Sequence, residues 1–187
     1  MSDLHYYQYL LIGLIFIWSG FVRSGLGFGG AVLSLPFLLL VYKQPLVFLP
    51  LISVQLLFFS SITLALNNRK STAANRSHKS TVDWAYLRYM LAIMIVPKLL
   101  GVFGLITMPA NILSIIIFVV VSVYAVTYIV NKPFKSNNKF VDAIFLMAGG
   151  YISGTSLIGA PLIIAVAAQH VARERLRDTL FALWFIL

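Results

Sequence analysis

The sequence predicts an all-α integral membrane protein, a polytopic bundle of helices. Three observations predict this class: 60% of the residues are hydrophobic, only 10% are charged, and the mean hydropathy is +0.94. A soluble domain usually carries about 25% charged residues. The net charge of +9 falls almost entirely between apolar runs, which is typical of the cytoplasmic loops of membrane proteins. We therefore expect membrane lipid as the surroundings and no nucleic-acid partner.

Apolar runs define the elements of the chain in order. Two of them, 46–66 and 111–130, have the length of simple transmembrane helices, because about 20 apolar residues span a bilayer. The full set of runs is 4–22, 28–42, 46–66, 85–107, 111–130, 141–152, 158–170 and 179 to the end.

Basic loops orient these runs. The loops 67–81 and 131–139 are expected on the cytoplasmic side, which places the N-terminus outside. Arg173, Arg175 and Arg177 form a third basic cluster. If this cluster is also cytoplasmic, the region 141–170 crosses twice or enters and returns. The chain lacks the features of a cleaved signal peptide, so we expect the first apolar run to be retained in a multi-pass inner-membrane protein.

The stretch 20–36, GFVRSGLGFGGAVLSLP, interrupts the apolar runs with glycine. Each glycine destabilises a helix by roughly 1 kcal/mol relative to alanine, so we expect a broken helix here. Irregular backbone at membrane depth persists only where protein buries it or a wet cavity solvates it. The stretch is therefore the leading candidate for a transport site, with helix packing through Gly25-x-x-x-Gly29 as the alternative.

A second stretch, 149–161 (GGYISGTSLIGAP), repeats the first in weaker form. Ser153-Gly154 follows Ser24-Gly25 by 129 residues, and Gly159-Ala160 follows Gly30-Ala31 by the same interval. We expect a first transmembrane repeat over 1–130 and the start of a second over 131–187, with the chain a C-terminally truncated fragment. If the third basic cluster is cytoplasmic, the first break faces inward and its copy faces outward, so inverted repeats are favoured; if the region 141–170 crosses once, the repeats are parallel.

Three features point to a known family: the motif SGLGFGGAVLSLP, its SGxxxxGAP copy, and a basic loop followed by VDW and a span containing Pro97, Gly101 and Gly104. In these features the chain resembles the sulfite exporter TauE/SafE family of bacterial membrane proteins. The resemblance covers essentially the whole chain. It implies a membrane permease with two related halves that exports sulfur-containing or organic anions. The degenerate second motif and Lys98 beside Pro97 depart from the family pattern and leave the substrate open.

Two basic residues are candidates for binding an anion. Lys98 lies about halfway along the run 85–107, where an unpaired charge costs roughly 2.5–3.5 kcal/mol on insertion scales and usually faces a cavity. The alternative is that Lys98 snorkels to an interface. Arg23 directly precedes the first glycine motif, where it either pairs with an anion near a helix N-terminus or is the end charge of the first span.

The function predicted from these features is a secondary transporter for a small anion such as sulfite, a sulfonate or another organic acid. The alternative is a non-transporting membrane subunit whose glycines pack helices. We expect no cofactor and no metal, and the chain carries no enzymatic signature such as HExxH or a Walker motif. The expected substrate-binding residues are Arg23, Ser24, Gly25, Gly27, Gly29, Gly30, Lys98, Ser153, Gly154 and Gly159.

Two further polar residues have structural expectations. Gln55 is the one amide in the middle of the run 46–66, and helix–helix hydrogen bonding is its expected role. His170 ends an apolar run, where a histidine at the level of the lipid headgroups is expected, with a proton relay as the alternative. The low number of carboxylates within the apolar runs argues against a dedicated proton relay.

Overall fold

The computed structural model describes residues 5–26, 30–73, 81–130 and 138–187. Within these ranges the protein is entirely helical, as the composition predicts. The helices are α1 Tyr6–Leu26, α2 Gly30–Val41, α3 Pro45–Ala73, α4 Trp84–Thr107, α5 Ala110–Ile129, α6 Lys139–Ser156, α7 Ala160–His170 and α8 Arg173–Ile186.

The chain forms two hairpins, each of a long and a short helix, and each glycine motif contains the turn of one hairpin. In the first, α1 and α2 are antiparallel: the Ser19 hydroxyl donates to the Gly30 carbonyl oxygen, and Gln8 donates to the Val41 carbonyl oxygen at the other end. In the second, α6 and α7 are antiparallel, since Gly149 packs against Ile163 and Gly159. Both short helices are too short to cross a bilayer.

Glycines allow α4 and α6 to form the most extensive helix contact in the described structure. The two helices run parallel, because Met94 contacts Gly150 and, further along both helices, Lys98 contacts Gly154. A Cβ atom on Gly150 would lie 2.9 Å from the Met94 carbonyl oxygen. The backbones approach this closely because small residues line the contact, as is common between membrane helices.

Helix α8 runs antiparallel to α3. Asn67, near the end of α3, donates to the Asp178 carboxylate at 2.7 Å near the start of α8. Ser53, near the start of α3, lines a cavity together with Leu187, which follows α8. The structure therefore packs two hydrophobic cores side by side, one around α1, α2, α3 and α5 and one around α4, α6, α7 and α8.

The outer surface is apolar and part of the interior is polar, the reverse of a soluble protein. Large apolar side chains such as Phe103, Ile106 and Phe21 are exposed, whereas Arg23 and Asp142 are buried. Three described helices are long and apolar enough to cross a membrane: Pro45–Asn67, Trp84–Thr107 and Ala110–Thr127. The arrangement is that of a helical membrane bundle, because only lipid solvates such a surface.

The helices extend further than the apolar runs. Helix α1 continues through Ser24 and Gly25 to Leu26, and α2 contains Pro36, so the first interruption is shorter than the sequence suggests. Helix α8 begins at Arg173, within the expected basic loop. The basic residues are compatible with a helix here because Arg173 and Arg177 are exposed, whereas Asp178, Thr179 and Leu180 are buried.

Candidate functional site

The second interruption is a sharp turn between α6 and α7. Helix α6 ends at Ser156, and Leu157 adopts a left-handed conformation with φ of 59°. Helix α7 starts at Ala160 with Pro161 in its first turn, a position that suits proline because no helical hydrogen bond is lost. Gly159 packs against the Gly149 carbonyl oxygen, so its missing side chain lets the turn close onto α6.

The first interruption lies between Leu26 and Gly30. Gly27 and Gly29 lie outside the described residues, as does the side chain of Ser24. Gly25 is in the last turn of α1, and a Cβ atom there would meet no atom within 4 Å. Gly30 opens α2, where a Cβ atom would come within 3.0 Å of the Arg23 Nε.

A cavity of about 130 Å³ lies between the two hydrophobic cores. The volume is far above the ~10–15 Å³ that a single water needs. Two cations and three serines from four helices share its wall: Arg23 of α1, Ser53 and Ser60 of α3, Lys98 of α4 and Ser153 of α6. Its remaining lining residues are Ala31, Val32, Leu56, Leu57, Leu157, Ala160, Phe181, Trp184 and Leu187.

A second cavity of about 250 Å³ adjoins the first. The two cavities share Ser53, Lys98, Ser153, Leu157 and Leu187, and Gly154 also lines the second. Lys98 and Ser153 therefore stand where the two spaces meet.

Arg23 is buried, with 5% of its surface exposed. Its Nη1 nitrogen has no hydrogen-bond partner, and no salt bridge joins it to any acidic residue in the described part of the chain. A solvated end charge of the first span would be exposed, so this interpretation does not agree with the burial. The guanidinium is instead a positive group inside the protein, held against Gly30.

Lys98 is half-buried in α4. Helix α4 continues through Pro97 on both sides of it. The described ranges contain no salt bridge to Lys98. The two cations thus line one cavity, and no described carboxylate neutralises either of them.

Ser153 and Gly154, which the sequence groups together, lie in the last turns of α6 but have different surroundings. Ser153 is 3% exposed and lines both cavities. Gly154 packs against the backbone of α4 at Lys98, Gly101 and Val102. The glycine therefore sets the helix spacing that brings Ser153 beside Lys98.

Helix α3 contributes residues that the sequence analysis did not identify. Ser60 is 1% exposed, lines the first cavity, and its hydroxyl has no hydrogen-bond partner. Ser53 lies seven residues earlier and lines both cavities. The sequence signal that could have identified both serines is this spacing of two helical turns, which places them on one face of α3. Gln55 bonds α3 to α1 through the Phe16 carbonyl oxygen at 2.9 Å, which confirms its expected role between helices.

The helix boundaries follow the 129-residue interval of the two motifs. Displaced by 129 residues, α2 would occupy 159–170, and α7 is Ala160–His170. The end of α1 would move to residue 155, and α6 ends at Ser156. The start of α3 would move to residue 174, and α8 begins at Arg173.

Comparison with known proteins identifies the family of the chain. The family model described as Sulfite exporter TauE/SafE matches residues 11–185, nearly the whole chain. No curated protein matches the chain, and no solved structure matches it.

Proposed function

The chain belongs to the sulfite exporter TauE/SafE family, a family of membrane transporters rather than enzymes, and from this premise we propose that it is a permease for a small oxyanion. The proposed substrate is sulfite, a sulfonate or another organic acid. We further propose that it is a multi-pass protein of a bacterial cell inner membrane.

One observation carries the proposal: Arg23, Lys98 and the hydroxyl of Ser60 face a common cavity without acidic partners among the described residues. A buried hydrogen-bond donor without a partner costs about 1–3 kcal/mol, and more when it is charged. Such groups persist where a ligand or water satisfies them. Two positive groups and hydroxyl donors select a ligand that is negatively charged and rich in acceptors.

The position of the cavity supports transport over permanent binding. It lies between the α1/α2/α3/α5 core and the α4/α6/α7/α8 core, and both hairpin turns are close to it through Arg23 and Leu157. Rocking one core against the other would open the cavity to alternate sides of the membrane, the usual motion of transporters built from repeats.

We also propose that residues 1–130 and 131–187 are two related repeats with inverted orientation. The 129-residue interval relates α3 to α8, and these helices are antiparallel. Repeats related by an axis along the membrane normal would instead make α3 and α8 parallel, so the antiparallel packing supports the inverted arrangement.

The test is uptake of radiolabelled sulfite into proteoliposomes. We expect Lys98→Ala to lower uptake about 10- to 100-fold, since a hydrogen bond to a charged group contributes about 1.5–3 kcal/mol. Lys43→Ala is the matched control, because Lys43 is exposed in the turn after α2 and lines neither cavity. Unchanged uptake by Lys98→Ala at equal protein level would contradict the proposal.

The close packing of α4 on α6 through glycines favours a second candidate, a membrane subunit without transport activity. The two candidates differ in their response to ligand. A permease that binds sulfite is stabilised by it, by about 2.7 kcal/mol at a concentration 100 times the Kd. A packing subunit shows no rise in melting temperature with any of the proposed anions.

A further inference from the structure

A buried carboxylate and a histidine close the base of the α6/α7 hairpin. Asp142, in the first turn of α6, lies 2.9 Å through its Oδ2 from the Nε2 of His170, the last residue of α7. The Asp142 side chain is 7% exposed, whereas 39% of the His170 side chain is exposed. The Asp142 Oδ1 has no hydrogen-bond partner. The imidazole thus connects a buried negative group to the surface.

Titratable groups of α4 pack against this pair, and further ones lie close to it in sequence on α6 and α8. From α4, the Tyr86 ring stacks on the His170 ring at 5.2 Å, and Tyr89 packs against Tyr86 at 5.5 Å. The Tyr86 hydroxyl is buried without a partner. The nearby charged residues of α6 and α8, namely Lys139, Arg173 and Glu174, are all exposed. Asp142 is therefore the buried charge that His170 faces.

The pair is linked to the proposed anion site through α7. The opposite end of the hairpin carries Ser153, Leu157 and Ala160, all of which line the cavity beside Lys98. Helix α7 has 11 residues and is continuous, so about 16 Å of rigid helix separates the two ends. Helix α7 therefore connects His170 directly to the wall of the cavity at Ala160.

We propose that Asp142 and His170 form a proton-binding site that couples anion transport to a pH gradient; this inference rests on the proposed anion permease. Histidine exchanges protons in the range of pH 5 to 8. A proton from hydronium adds to the ring nitrogen that lacks one, leaving water and an imidazolium paired with the carboxylate. The added positive charge attracts the carboxylate directly, so loss of the proton weakens the hold at the base of the hairpin. One proton carried with each monovalent anion makes the cycle electroneutral.

From the sequence, His170 is expected at the level of the lipid headgroups, with a proton relay as the alternative. Its partner stands 28 residues earlier, and only the antiparallel hairpin brings the two together. Asp142 lies in the first turn of α6, at the start of an apolar run, and is nevertheless buried.

The test uses proteoliposomes and labelled methanesulfonate, whose sulfonate keeps its charge while histidine titrates. With an imposed pH gradient of about one unit, one proton per anion gives about tenfold accumulation for the wild type. We expect Asp142→Asn and His170→Gln to abolish accumulation while retaining exchange of labelled for unlabelled anion at equal pH. Asparagine still accepts the histidine hydrogen bond, so Asp142→Asn removes the charge but not the contact.

Asp178→Asn is the matched control, because Asp178 has the same 5% exposure as Asp142 but bonds Asn67 instead; it should retain accumulation. Absence of any sulfite or methanesulfonate flux in the wild type would refute the permease and this inference with it. Wild-type exchange without pH-driven accumulation, or accumulation by Asp142→Asn, would overturn this inference alone. Loss of exchange in both folded variants would also overturn it, since the pair would then serve the whole transport cycle.

Discussion

Gly154 lies directly against the backbone carbonyl of Lys98. At this contact between α4 and α6, both residues line the second cavity. This contact fixes the position of Ser153, the preceding residue, relative to the lysine. A motif that the sequence relates to substrate binding thus also determines helix spacing. The two roles are separable by experiment, because glycines at equivalent positions of the two motifs have different surroundings.

Gly154→Ala should destabilise the protein. A Cβ atom there would overlap the Lys98 carbonyl oxygen, and overpacking of this kind costs about 1–3 kcal/mol. Gly25→Ala, 129 residues earlier, should be neutral or stabilising by up to about 1 kcal/mol, since its Cβ meets no atom and alanine favours helix. Thermal unfolding in detergent micelles measures both. Equal melting temperatures for the two variants would contradict the close packing at Gly154.

Arg23→Met should affect stability and transport in opposite directions. Methionine retains the unbranched stem but removes a buried charge without an acidic partner among the described residues, so stability should be unchanged or increased. Sulfite affinity should fall about 10- to 100-fold through loss of a charged donor. Arg88→Met is the control, because Arg88 is exposed on α4. Arg23→Met with wild-type affinity would remove Arg23 from the anion site.

Ser60→Ala tests a single hydroxyl of the proposed anion site, and the adjacent Ser61 provides a matched control. The Ser60 hydroxyl faces the cavity without a partner, whereas the Ser61 hydroxyl is exposed and bonded to the Leu57 carbonyl oxygen. Ser60→Ala should weaken sulfite binding about 2- to 10-fold, the effect of one ordinary hydrogen bond, without loss of stability. Ser61→Ala should leave binding unchanged. Isothermal calorimetry on both variants checks this, and equal effects would argue against a ligand at Ser60.

The sequence was sufficient for the features that depend on composition and local breaks. The fold class, the TauE/SafE family and the interruption before Ala160 all follow from apolar runs interrupted by glycine or charge. These signals are local, because a charge or a glycine in an apolar run is unfavourable wherever the helix packs.

The sequence does not predict in the same way which residues of a helix face the cavity and which face lipid. Lipid is as apolar as a protein core, so the apolar residues around Ser60 do not indicate which face of α3 lines the cavity. The Asp142–His170 pair needs the turn between α6 and α7, whose geometry rests on Leu157 in a left-handed conformation. Leucine rarely adopts this conformation, and nothing in its local sequence predicts it.

The proposed inverted orientation of the repeats predicts that two equivalent turns lie on opposite sides of the membrane. Lys43, in the turn before α3, and Ala172, in the turn before α8, are 129 residues apart and both exposed. The chain has no cysteine, so Lys43→Cys and Ala172→Cys each introduce a unique label site. In intact cells, a membrane-impermeant maleimide should label Lys43→Cys and leave Ala172→Cys unlabelled until the membrane is opened.

Pro109→Cys is the matched reference, because Pro109 lies in the exposed turn between α4 and α5. Helices α3 and α4 are each long and apolar enough to cross the membrane once, so we expect Pro109 to lie on the same side as Lys43 and to label in intact cells. Parallel repeats would put Lys43 and Ala172 on one side, and both cysteines would then label together. That outcome would also conflict with the antiparallel packing of α3 and α8, because equivalent helices of parallel repeats share one direction across the membrane.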